Sequence, residues 1–198
     1  YGSNKISLHR TRSRPTPKMK QEIVKFGADV LRAPCKSVGD FDENLSGLID
    51  DLFDSMRAAE GVGLAAPQIG VSLRVLVIDV SNQQPEHGPI ALINPRIVVA
   101  EGEQIGEEGC LSFPKLYGDV KRYEFVKVEA IDKEGHTFST EGSGFYARAL
   151  QHEIDHLNGI LFVDLLKPLK RQLMRNALKR LKKEGLKWQH ENKQTIDK

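Results

Sequence analysis

At 198 residues, with 39% hydrophobic side chains and a formal net charge of +2, the chain has the length of one domain and enough apolar content for a sizeable core. The near-balanced charge creates no requirement for DNA or other nucleic acid, the apolar runs are too short to cross a membrane, and repeats and low-complexity tracts are missing. Two cysteines without a signal-peptide pattern argue against disulfide stapling.

Residues 1–18 contain Lys5, Arg10, Arg12, Arg14 and Lys18 and no acid. Gly2-Ser3 fits an expression scar ahead of a bacterial cytoplasmic enzyme, the favoured expectation, although the basic, Ser-containing character also fits a cleaved organelle-targeting segment. From about Glu43 to Glu60, Leu45, Leu48, Ile49, Leu52, Phe53 and Met56 recur at helical spacing. Strands are expected at Arg74–Val80, Ile90–Ile93, Arg96–Glu101, Phe125–Asp132 and Thr137–Thr140, with Ser81–Pro89 as a surface loop. A helix over Phe145–Leu157 follows, with Gly159 as its stop. Strands grouped ahead of one helix, without regular alternation, predict an α+β fold: antiparallel sheets wrapped around a central metal-binding helix, with a C-terminal helix.

Between the first helix and the strands lies Gly61-Val62-Gly63-Leu64-Ala65-Ala66-Pro67-Gln68-Ile69-Gly70. Its first six residues fit a dinucleotide-binding fingerprint, but that motif must follow a strand and open a helix, whereas this one follows a helix and meets Pro67. Such a loop lets a substrate approach the backbone, and Gln68 offers a neutral amide to a developing oxyanion. Further on, Glu107-Glu108-Gly109-Cys110-Leu111-Ser112 places a thiol after a glycine that permits an unusual backbone conformation. Cys35, in Ala33-Pro34-Cys35-Lys36, has no such setting and reads as a small buried hydrophobe.

The central helix carries His152-Glu153-Ile154-Asp155-His156. Residues four apart share a helix face, so both imidazoles can reach one ion while Glu153 stays free to serve as general base. Histidine is otherwise limited to His9, His87, His136 and His190, which argues against a chance pairing. The longer metalloprotease signature would need a third histidine where Phe162 stands, so the remaining ligand must come from elsewhere, and Cys110 is the best candidate.

In order and spacing, the segments at 61–68, 108–112 and 151–156 resemble the three motifs of the peptide deformylase family, and the resemblance extends over about Met19 to Leu166. It divides the chain into residues 1–18, a catalytic domain at 19–166 and a basic helix and tail at 167–198. It implies removal of the formyl group from the initiator methionine of N-formyl-methionyl nascent peptides. Cys110, His152 and His156 would hold one divalent ion, Fe2+ by expectation, with Zn2+, Ni2+ or Co2+ able to substitute. Glu153 would be the base, with the Gln68 amide and the Leu111 N–H facing the oxyanion. The Gly63 backbone would align the peptide, and Gly61, Glu108, Phe145, Arg148 and Ala149 would lie on the substrate side.

Leu169, Leu173, Ala177, Leu178 and Leu181 form a helical stripe ringed by Lys170, Arg171, Arg175, Lys179, Arg180, Lys182 and Lys183. The ordinary reading is a face that is solvated on one side and packed on the other; ribosomal RNA contact is the sharper expectation. Both ends look dispensable to the chemistry. Three other classes share parts of the pattern: a zinc peptidase of the His-Glu-x-x-His type, a hydrolase using Cys110 as nucleophile, and a non-catalytic metal-binding module, the last disfavoured by the free Glu153.

Overall fold

The computed structural model describes residues 21–196; the segment read as a tag or targeting remnant lies outside them. Alternating side chains set the layering. Five antiparallel strands form one sheet ordered β1 (Gly63–Ala65), β2 (Val75–Ile78), β3 (Ile90–Glu101), β6 (Phe125–Ile131) and β7 (Thr137–Ser143). Along β2, Leu76 and Ile78 join Leu92, Val126 and Val128 beneath helix α2 (Gly144–Leu157), while Val75 and Val77 turn to the other face. There they meet Leu45, Ile49, Leu52 and Met56 of helix α1 (Glu43–Ala58). Period-two burial in the sheet thus supplies two helices at once. Eleven of the fourteen α2 residues are buried, which makes α2 the central element.

The helices match the expected positions closely. Asp42 starts α1 by accepting the Leu45 N–H at 3.0 Å. Ser143 makes no side-chain cap on α2, and the Gln84 side chain instead accepts the Tyr146 N–H at 2.7 Å. The loop at 81–89 therefore has a structural task that its polar composition hid.

Three differences concern strands. The two strands expected at 90–93 and 96–101 are one, β3, with register shifts between Ile93 and Arg96 and between Ile97 and Val99. Pro95 cannot donate to the ladder, and Asn94, at φ 51°, exchanges side-chain hydrogen bonds of 2.9 Å with both Val38 N–H and Val38 O. A separate two-stranded sheet of β4 (Gln104–Gly109) and β5 (Tyr117–Arg122) was not expected, because its glycines and charges mask the alternation that burial reveals. β1 is three residues long and buried throughout, too short to show a period.

The C-terminal region is two helices, α3 (Pro168–Leu173) and α4 (Arg175–Ile196), with a break at Met174. That break splits the expected stripe: Leu169 and Leu173, before it, are 69% and 75% exposed, while Leu178 and Leu181, after it, pack inward as expected together with Met174 and Trp188. They share a core with Val24, Leu31, Phe113 and Phe162, so the region set apart as a tail is part of the packing. Removing residues after Leu173 should accordingly lower stability by several kcal/mol, read as a lower urea midpoint, since burying each such side chain contributes roughly 1.5–3 kcal/mol. An unchanged midpoint in the truncated form would show that the contact is superficial.

Candidate active site

Turn chemistry places the first functional side chain. After β1, a short 3-10 turn at Ala66–Ile69 brings Gln68 back over its own backbone, where Gln68 Oε1 accepts the Ala65 N–H at 2.9 Å. With the oxygen engaged, the amide nitrogen must face the cleft, and Nε2 lies 3.3 Å from Ser112 Oγ and 3.5 Å from Cys110 Sγ. Cys110 follows β4 directly, so the end of that strand delivers the thiol to α2 and to the Gln68 turn.

Helix α2 supplies the rest. Cys110 Sγ is 3.3 Å from His156 Nε2, and the donor atoms of Cys110, His152 and His156 all lie within 4.8 Å of one another. His152 Nδ1 is engaged by Glu108 Oε2 at 3.0 Å, which leaves its other ring nitrogen for the centre of the cluster. One soft thiolate and two imidazoles are a fitting set for a divalent transition ion, and three protein donors leave a coordination position open.

Glu153 is buried beside this cluster, and its Oε2 has no hydrogen-bond partner among the described residues. Burial pushes its carboxyl up to about 7, against an ordinary 4.5, while His152 and Arg122 oppose the shift and Glu108 and Asp155 add to it. Gly63 explains how the carboxylate fits: a Cβ there would overlap Glu153 Oε1. The glycine of β1 therefore leaves the room that the Glu153 carboxylate occupies.

A buried ionic group stands behind His152. Arg122 holds Glu108 through Nε at 2.8 Å and Nη2 at 3.0 Å, and Arg148 Nη1 adds a third contact at 2.8 Å. Arg122 also reaches Asp155 Oδ2 at 2.5 Å. Burial alone would raise the Glu108 carboxyl, but the hydrogen bonds from His152 and Arg122 outweigh it and hold the group at about 2. Arg148 is completed by the carbonyls of Gly106 and Val120 and by Gln104 Oε1.

A cleft of about 750 Å³ gathers Gly61, Gly63, Gln68, Glu108, Cys110, Leu111, Phe145, Arg148, Ala149, His152 and Glu153, with His156 behind them. The structure thus brings together all the residues singled out from the sequence. One role changes. Expected on the substrate side, the Glu108 carboxylate is fully occupied behind His152, so it orients a ring rather than receiving a ligand. Arg148 likewise has its guanidinium engaged and can offer a ligand only its stem. Arg122 was missed; its signal was an arginine at an inward position, two residues after Val120, of a strand that the composition concealed.

The family model for polypeptide deformylase matches residues 20–172. Peptide deformylase 1 of Bacillus cereus is 53% identical over 141 residues, 71% of this chain and 88% of that protein. The peptide deformylase of Acidobacterium capsulatum is 45% identical over 167 residues, 84% of this chain and 98% of its own length. Among solved structures, a peptide deformylase from Legionella pneumophila superposes with a TM-score of 0.77 at 49% identity, covering 83% of this chain and 96% of that one. Matches of this extent, across all three motifs and the elements that carry them, establish that the chain belongs to the polypeptide deformylase family.

Proposed function

We propose that this enzyme removes the formyl group from N-formyl-methionyl nascent peptides, releasing formate and a free amino terminus. The observation that carries the reading is the Cys110, His152 and His156 donor cluster beside a buried carboxylate with an unpartnered oxygen. Family resemblance supports Fe2+ as the resident ion, with Zn2+, Ni2+ or Co2+ as substitutes. When bound, such an ion supplies Lewis acidity and lowers the pKa of water toward neutrality.

Glu153 Oε2, buried and without a hydrogen-bond partner among the described residues, takes a proton from the attacking water and returns it to the departing amine. Gln68 Nε2 and the Leu111 N–H donate to the oxyanion, each contributing a few kcal/mol, roughly 3 by analogy with other such donors. Gly63 aligns the peptide main chain as an added strand. Gly61, Phe145, Ala149 and the Arg148 stem bound the methionine pocket. Glu108 fixes the tautomer and orientation of His152.

The test is formate release from formyl-Met peptides and from unformylated controls, with and without a strong chelator. Only the formylated peptide should react, and chelation should abolish turnover until a divalent ion is restored. Cleavage of unformylated peptides would favour a zinc peptidase, while turnover that survives chelation would favour Cys110 as nucleophile.

No described helix is long and apolar enough to cross a membrane. The bacterial relatives support a cytoplasmic setting, where the exposed Arg175, Lys179, Arg180 and Lys183 of α4 would meet ribosomal RNA. Neutralising these four residues should weaken cosedimentation with ribosomes and flatten its salt dependence, while hydrolysis of small peptides stays unchanged. Equal ribosome binding by both forms would remove this contact from the reading.

A further inference from the structure

The two oxyanion donors sit on different loops, Gln68 in the turn after β1 and Leu111 in the turn after β4, and besides the Gln68 Nε2 contacts with Ser112 Oγ and Cys110 Sγ a backbone bridge holds the span between them. Residues 23–26, which run between the two loops outside any regular element, form that bridge. Its Val24 N–H donates to Gln68 O at 2.8 Å and its Phe26 N–H donates to Ser112 O at 3.1 Å. Between those rungs stands Lys25, which lines the cleft and donates from Nζ to Leu111 O at 3.2 Å.

The carbonyl it reaches is a telling one. Cys110–Phe113 is a turn closed by the Phe113 N–H on Cys110 O at 2.8 Å. The peptide between the two central residues of such a turn, here Leu111 and Ser112, has no partner inside the turn, so its plane is the part free to rock. Rocking it turns ψ of Leu111 and φ of Ser112 together, and a turn whose central peptide shifts no longer presents the Leu111 N–H in one fixed direction. A hydrogen bond from an ammonium is roughly twice as strong as a neutral one, and it holds this plane from outside.

The segment is itself backed by α4. Gly27, at φ +117°, lies so close to the helix that an added Cβ would stand 2.5 Å from Lys182 O, and a Cβ on Gly185 would stand 2.6 Å from Phe26 O. Neither backbone can approach or yield without moving the other.

We propose that Lys25 is a positioning residue for deformylation: by pinning the Leu111 carbonyl it keeps the Leu111 N–H aimed at the oxyanion, while residues 23–26 fix the span to Gln68. Lys25 need not touch substrate or move a proton. The inference rests on the deformylase reading, and its test separates the two.

Lys25→Met keeps the stem and removes the donor, and Lys25→Arg restores a cationic donor. With metal content measured for each, Lys25→Met should lower kcat about ten-fold and alter KM less than about two-fold, because a misaimed oxyanion donor acts on the transition state. Lys25→Arg should return kcat to within about three-fold of wild type. Wild-type turnover with kcat unchanged in Lys25→Met would overturn the inference alone. So would a loss confined to KM, or a fall in metal content and thermal midpoint that Lys25→Arg does not repair. Absence of formate release by the wild-type metalloenzyme would overturn the deformylase reading and this inference with it.

Discussion

Glu153→Gln should retain near-stoichiometric metal while formate release falls by roughly 10²–10⁴-fold. The amide has the size and shape of the acid, so the clearance against Gly63 and the packing of α2 are unchanged. It cannot accept a proton. Affinity for formyl-Met peptides should change much less than turnover, since Gln68, Gly63 and the methionine pocket are untouched. Retained turnover with metal bound would place the proton transfer on another group.

The same substitution carries a stability signature in the metal-free protein. Glu153 titrates near 7 when folded and near 4.5 otherwise, so the folded state holds the extra proton between those values and wild-type stability falls as pH rises through that window. By pH 8 the buried anion costs about 3 kcal/mol that the Gln side chain avoids. Metal-free Glu153→Gln should therefore unfold at higher urea than metal-free wild type at pH 8, with the gap closing by about pH 4.5. A gap that does not depend on pH would show that the carboxylate is not desolvated as its burial implies.

The parts of this enzyme that follow local rules were legible in its sequence. The pair His152 and His156 needs only helical periodicity to share a face, and α1 announces itself through the spacing of Leu45, Ile49, Leu52 and Met56. Cys110 was a weaker inference from spacing alone; the motif resemblance strengthened it, and the 3.3 Å approach of its sulfur to His156 shows the two side by side.

What the sequence concealed is long-range. Glu108, Arg122, Arg148 and Asp155 are ordinary surface residue types, and only the folding of β4 and β5 over α2 turns them into one buried network. The stripe at 169–181 held only in part for a related reason: Leu178 and Leu181 face inward as expected, but the break at Met174 leaves Leu169 and Leu173 of α3 outside. Lys25 left no pattern at all, because its partner is a backbone carbonyl 86 residues away.

That network predicts the second large effect. Glu108 is 5% exposed and is the anion shared by two arginines whose side chains are themselves 6% and 7% exposed. Glu108→Gln keeps an acceptor for the His152 N–H but removes the charge that balances both guanidiniums. Arg122 retains Asp155, whereas Arg148 is left with neutral oxygens only. Removing one partner of a buried ion pair typically destabilises by about 3–5 kcal/mol, and disturbing the group that orients a metal-binding histidine weakens metal binding roughly 10–100-fold. We therefore expect Glu108→Gln to lose metal during dialysis against a weak chelator and to unfold at a lower urea concentration, with turnover recovering partly at excess metal. The pairing of defects is the diagnostic feature. If Glu108 instead faced substrate, the same variant would raise KM while holding its metal and its stability, and isothermal metal titration together with urea unfolding distinguishes the two outcomes.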